Sequence, residues 1–79
     1  PGVRIETNDF IMSLGSARPM EDAARMAYRD LIRWLVDDYY FEESEAYLLA
    51  TQAGRMRVGN MVDPKYTLGA SILKKYIEQ

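Results

Sequence analysis

The stretch Pro19-Met20-Glu21-Asp22-Ala23-Ala24-Arg25-Met26-Ala27-Tyr28-Arg29-Asp30-Leu31-Ile32-Arg33-Trp34-Leu35-Val36-Asp37-Asp38-Tyr39 decides the fold. Met20, Ala23, Ala24, Ala27, Leu31 and Leu35 recur at helical spacing and make one apolar stripe. Ile32, Trp34 and Val36 widen that stripe in the last turns. Pro19 suits a first helical turn, where its missing N–H costs nothing. Glu21 and Asp22 stand at the positive end of the helix dipole. Arg25, Arg29, Asp30, Arg33 and Asp37 fill the opposite face. The Asp30–Arg33 and Arg33–Asp37 pairs have ion-pair spacing, worth roughly 0.2–0.5 kcal/mol each. The pattern predicts a helix from Pro19 to Tyr39.

Tyr40 to Glu42 breaks the pattern. A second helix is expected from Glu43 to Ala53, with Ala46, Leu49, Ala50 and Ala53 as its apolar stripe. Gly54 is the expected stop, in a left-handed conformation that glycine takes without steric cost. Arg55 to Val62 then alternates, with Met56 and Val58 on one side and Arg55 and Arg57 on the other. Asp63-Pro64-Lys65 signals a turn. Tyr66, Leu68, Ala70 and Ile72 alternate after it. Upstream of the long helix, Arg4 to Leu14 reads as one strand, in which Phe10, Met12 and Leu14 alternate with Ile11 and Ser13. Gly15-Ser16 closes it. The order is β-α-α-β-β, an α+β arrangement with two helices packed on one face of a small sheet.

A chain of 79 residues makes one small domain, covering residues 1–79. At this size disulfides, a metal or a partner surface usually reinforce the core. Cysteine and histidine are both absent, which removes disulfides, thiolate sites, the commonest zinc ligand and the commonest general base. The chain is 48% apolar and carries six Tyr, one Trp and two Phe, more than so short a chain readily buries. It begins at Pro1 with no initiator Met. These features are expected of part of a larger protein.

The formal net charge of −2 disfavours a phosphate backbone or an anionic membrane as partner. No apolar run approaches the ~20 residues that span a bilayer, and no signal peptide is visible. With no cysteine, a cytoplasmic location is expected.

Several constellations of residues bear on chemistry. Asp37, Asp38, Glu42, Glu43 and Glu45 form an acidic cluster, but its spacing is not that of a calcium loop. It reads as a solvated loop with acids at the second helix's N-terminus. Glu6 and Asp9 are a conceivable acid/base pair, yet a separation of three puts them on opposite faces of a regular strand. Ser13, Ser16, Ser44 and Ser71 have no histidine to activate them. Lys74 or Lys75 are the remaining candidate activators, and nothing in the spacing brings them to a serine. Gly54, Gly59 and Gly69 are scattered and make no phosphate cradle. Arg55, Arg57 and Tyr66 suggest a basic, aromatic strand, but Glu43 to Ala53 holds no Lys or Arg, unlike a recognition helix. Tyr39, Tyr40, Tyr47, Tyr66 and Tyr76 fit either an interface or a half-buried core.

Beyond these patterns the sequence resembles a known family. Arg4-Ile5-Glu6-Thr7, the stretch Phe10 to Gly15, and the helix from Met20 through Ile32-Arg33-Trp34-Leu35 are similar to the late region of acetamidase/formamidase proteins. Glu45-Ala46-Tyr47-Leu48-Leu49-Ala50 resembles that family's Asp-Ala-Tyr helix start. Ala53-Gly54-Arg55-Met56-Arg57-Val58, continuing to Val62-Asp63, resembles its Ala-Gly strand. The resemblance runs from about Arg4 to Ile72. Arg55 stands where the family has Asp or Asn, Asn8-Asp9-Phe10 replaces a Thr-His-Tyr-like stretch, and Glu42 or Glu43 replaces a Ser cap.

The resemblance implies the C-terminal region of an amidohydrolase that acts on small linear amides such as formamide or acetamide. It implies a divalent metal, zinc or calcium, for the full-length enzyme, with its ligands upstream and none in this segment. It also implies the rest of the parent chain as partner and a homo-oligomer. No residue of this chain matches a catalytic, cofactor or metal position, so none is assigned. A stand-alone interaction module with a tyrosine-rich face is the alternative from the residues, and a winged-helix nucleic-acid binder is a further one.

Overall fold

A computed structural model describes residues 3–17, 20–58 and 66–78. The strands are β1 (Val3–Glu6), β2 (Phe10–Ala17), β3 (Arg55–Val58) and β4 (Tyr66–Leu73). The helices are α1 (Met20–Tyr39) and α2 (Glu43–Ala53), and a 3-10 turn, Lys74–Tyr76, follows β4. The strands form one antiparallel sheet in the order β1-β2-β4-β3. The class is α+β, as expected. α1 lies on the sheet, against β2 and β4, and α2 packs chiefly on α1.

The first segment differs from expectation. The single strand predicted over Arg4–Leu14 is a hairpin, which makes the order β-β-α-α-β-β. Thr7 turns the chain. Its N–H donates to the Phe10 carbonyl at 2.9 Å, and its hydroxyl accepts from the amides of Asp9 and Phe10, each at 3.2 Å. Asn8 and Asp9 complete the turn, as short polar side chains favour. β2 also runs past the expected stop at Gly15-Ser16 to Ala17.

α1 matches its predicted span from Met20 onward; Pro19 lies outside the described residues. Ala23, Ala27, Leu31 and Leu35 are fully buried, and Trp34 nearly so. Ala27, Leu31, Trp34 and Leu35 meet Ile11, Ala70, Ile72 and Ile77 in one core. Ala46 and Ala50 of α2 join it, with Leu49 and Ala53 packed at its margin.

Gly15 is a point of close approach between sheet and helix. A Cβ there would run into the Ala23 carbonyl and stand 2.8 Å from the Ala27 amide nitrogen. The small residues Gly15, Ala23 and Ala27 therefore let α1 sit directly on β2.

Helix ends also depart from expectation. Gly54 is extended, with φ −69° and ψ 147°, and not left-handed. It is glycine for a different reason: a Cβ would meet the Ala50 carbonyl, which accepts the Gly54 N–H at 2.9 Å. The left-handed residue is Tyr40, with φ 62°, just past α1. That geometry lets the Phe41 N–H donate back to the Leu35 carbonyl at 3.2 Å. α2 begins at Glu43 as expected, and the amide of its N-cap, Glu42, donates to the Glu45 carboxylate at 3.1 Å. The predicted turn Asp63-Pro64-Lys65 and the strand residues after Val58 lie outside the described residues.

Candidate functional site

The densest polar arrangement lies between β1, β2 and α1. Arg4 and Ser13 are paired across β1 and β2, so both face α1, where Asp30 stands one turn from Trp34. The Arg4 guanidinium donates to Asp30 twice, Nε to Oδ2 and Nη2 to Oδ1, each at 2.9 Å. The Ser13 hydroxyl donates to Oδ2 at 2.5 Å. The guanidinium carbon also sits 5.0 Å from the centre of the Trp34 ring, within cation–π range.

Ser13 is fully buried in an otherwise apolar layer, and a buried hydroxyl requires a partner. Asp30 supplies it. The bidentate Arg4 contact is the main influence holding the Asp30 carboxyl below the ordinary 3.8, against the opposing effect of burial, with the Ser13 hydroxyl adding to it. Arg4 is shifted upward for the same reason, its hydrogen bonds to Asp30. Asp30 is thus held ionised with both oxygens occupied. That makes it a staple between helix and hairpin and a poor proton acceptor.

Sequence patterning misplaced these residues. The helical pattern sets Asp30 on the outer face of α1 as a partner for Arg33, but in the structure it turns inward to Arg4. Among the described residues the ion pairs are Arg4–Asp30, Arg25–Asp22 and Lys74–Glu6, so neither expected Arg33 pair forms. The available signal was Ser13, a polar residue in register with buried Ile11.

The other candidate residues disperse. The Glu6 carboxylate accepts from Lys74 Nζ at 2.7 Å, which raises the Lys74 pKa. Asp9 lies in the hairpin turn, and its carbonyl accepts the Lys74 N–H at 2.8 Å. Glu6 and Asp9 therefore form no paired-carboxylate site. The serines are not joined to lysines either: Ser13 is bound to Asp30, Ser71 donates to the Arg55 carbonyl at 3.5 Å, and Ser44 is exposed. The side chain of Ser16 lies outside the described residues, as do Gly59 and the side chains of Arg57 and Tyr66.

Glu45 of the acidic cluster caps α2, while Asp37, Asp38, Glu42 and Glu43 are exposed. Among the described residues no three acidic side chains come together to hold a metal ion. Tyr39 packs against the core, Tyr40 is exposed beyond α1, and Tyr47 borders an open groove between α1 and α2. That groove, about 1000 Å³, is lined by Tyr28, Arg29, Ile32, Glu43, Ser44 and Tyr47 among others. No described helix is long and apolar enough to cross a membrane.

No family model matches the chain, and no curated protein sequence matches it. Solved structures do. The chain is 59% identical to an acetamidase from Yersinia enterocolitica over 96% of its own length, with a TM-score of 0.91. An acetamidase from Bacillus halodurans matches 92% of the chain at 26% identity, with a TM-score of 0.82. The chain spans 23% of the first protein and 25% of the second. Identity at this level over almost the whole chain, with the backbone preserved in both, places it by sequence and by fold together: it belongs to the acetamidase/formamidase family and spans about a quarter of the length of those two proteins.

Proposed function

We propose that this chain is the C-terminal packing segment of an amidohydrolase that hydrolyses small linear amides, formamide or acetamide, to the carboxylate and ammonia. The observation that carries the reading is the 59% identity to the Yersinia acetamidase over 96% of the chain. Water adds to the amide carbonyl, the C–N bond breaks, and the nitrogen leaves as ammonia. That chemistry needs an activated water and donors for a tetrahedral oxyanion. A bound divalent metal supplies both functions.

The described residues of this chain do not offer the metal a ligand set, and the chain has no histidine to act as base. In our reading the reacting groups reside in the remainder of the parent protein. This segment's part is mechanical. α1 closes one side of the sheet, and the Arg4–Asp30–Ser13 staple fixes the hairpin on it. The absence of cysteine fits a reducing, cytoplasmic setting. The test is ammonia release from formamide and acetamide by the purified full-length protein, with and without a chelator. Turnover of either amide supports the reading. A full-length protein inert towards both, with zinc or calcium supplied, refutes it.

A further inference from the structure

The sheet has a second face, and the sequence has written it as if it were buried. Antiparallel sheets with one solvated face put apolar residues inward and polar residues outward. β2 departs from this by being apolar on its outward side as well. Its helix-facing side carries Ile11, Ser13 and Gly15, whereas its outward side carries Phe10, Met12 and Leu14. Register adds Val3 beside Leu14 and Ile5 beside Met12. Val3 is 64% exposed and Ile5 40% exposed, and Phe10, Met12 and Leu14 are only half-buried. Arg55, paired with Ser71 on the far side of the same face, supplies a cation near the β3 edge. A contiguous apolar patch rimmed by charge marks an interaction surface.

We propose that this face, and not the α1/α2 groove, is the surface covered by the remainder of the parent chain, which meets Val3, Ile5 and Met12 with apolar side chains and Arg55 with an acidic one. The inference rests on the segment reading above. The occupant follows from length. The Yersinia acetamidase, in which this fold recurs with a TM-score of 0.91, has more than three-quarters of its chain outside the matched part. That polypeptide is tethered to the segment, at an effective concentration on the order of millimolar, and outcompetes a separate subunit for an apolar face.

Thiol labelling of the full-length protein tests this, because the segment has no cysteine of its own. Val3→Cys and Tyr47→Cys are matched reporters, since each native residue is 64% exposed in this segment. Ile5→Cys repeats the measurement should Val3→Cys fail to express. Each variant reacts with a maleimide natively and in urea, and peptide mass locates the adduct. Val3→Cys is expected to react at least about 100-fold more slowly in the native protein, while Tyr47→Cys changes by less than about 10-fold, since a covered site reacts only through opening. Equal native and unfolded rates at Val3→Cys would overturn the proposal. So would protection that fades on dilution, which assigns the cover to a second subunit. Amide turnover by the same preparation separates the two readings: an active enzyme with a freely labelled Val3→Cys sinks the surface assignment alone, and an inactive one with a protected Val3→Cys sinks the reaction alone.

Discussion

Asp30 on α1 and Arg4 on β1 are joined by two parallel hydrogen bonds of 2.9 Å. The same carboxylate accepts the hydroxyl of fully buried Ser13, so one side chain satisfies both hairpin strands. Asp30→Asn keeps the volume, loses the charge and turns one acceptor into a donor facing Arg4. It is expected to lower stability by about 1–3 kcal/mol, the usual cost of disrupting a charge-assisted buried bond. Arg4 is about a third exposed, so solvent screening places Arg4→Ala at the low end of that range. Urea unfolding of the chain measures both.

The same contact sets a pH dependence. The folded-state pKa of Asp30 is depressed below the ordinary 3.8, chiefly by Arg4. Its contribution is therefore fully present above the unfolded value and is lost as pH falls through the folded one. The stability gap between the native chain and Asp30→Asn is expected to be constant near neutrality. It narrows once the pH drops below 3.8. Thermal melts of the two proteins across that range check the sign: a gap that widens on acidification contradicts the assignment.

Tyr40 carries a left-handed backbone, φ 62°, on an almost fully exposed side chain. Side chains with a Cβ pay roughly 1–2 kcal/mol for that conformation. Tyr40→Gly removes the cost, gives back part of it as unfolded-chain entropy, and loses little packing. A net gain of about 0.5–1 kcal/mol is expected, read as a higher melting temperature.

Gly15→Ala should act in the opposite sense. The added methyl meets the Ala23 carbonyl and the Ala27 amide nitrogen, which are backbone atoms and cannot swing aside. Separating α1 from β2 to admit it is expected to cost about 1–3 kcal/mol. Gly69→Ala is the control. Its new Cβ meets the ends of the Met12 and Leu14 side chains, which can move, so the loss there is smaller in the same unfolding experiment.

These residues also show what the sequence made legible. Both helices were readable because their apolar stripes repeat over many turns, and Ala23, Ala27, Leu31, Leu35, Ala46 and Ala50 are all buried. The hairpin is hidden because Thr7-Asn8-Asp9 lies inside a run with strand-like alternation, and its turn is held by the hydroxyl and the N–H of one threonine. Gly54 reads as a helix stop, but the reason it is glycine does not, since periodicity carries no record of the Ala50 carbonyl. The Arg4–Asp30–Ser13 contact joins residues 26 and 17 positions apart, and a pattern read within one element assigns Asp30 to the nearest charge on its own helix. The family likeness was legible in short motifs spread from Arg4 to Ile72. The chemistry is legible as a deficit of residue types, no histidine and no cysteine, and among the described residues no three acidic side chains gather to hold a metal ion.

That deficit is the central claim, and ammonia release by the 79-residue chain alone tests it most directly. The chain is incubated with formamide and with acetamide, with and without zinc or calcium, beside the full-length protein. The account predicts turnover by the full-length protein and none above buffer from the chain under any of these conditions. Ammonia released by the chain itself, in proportion to its concentration, would contradict it.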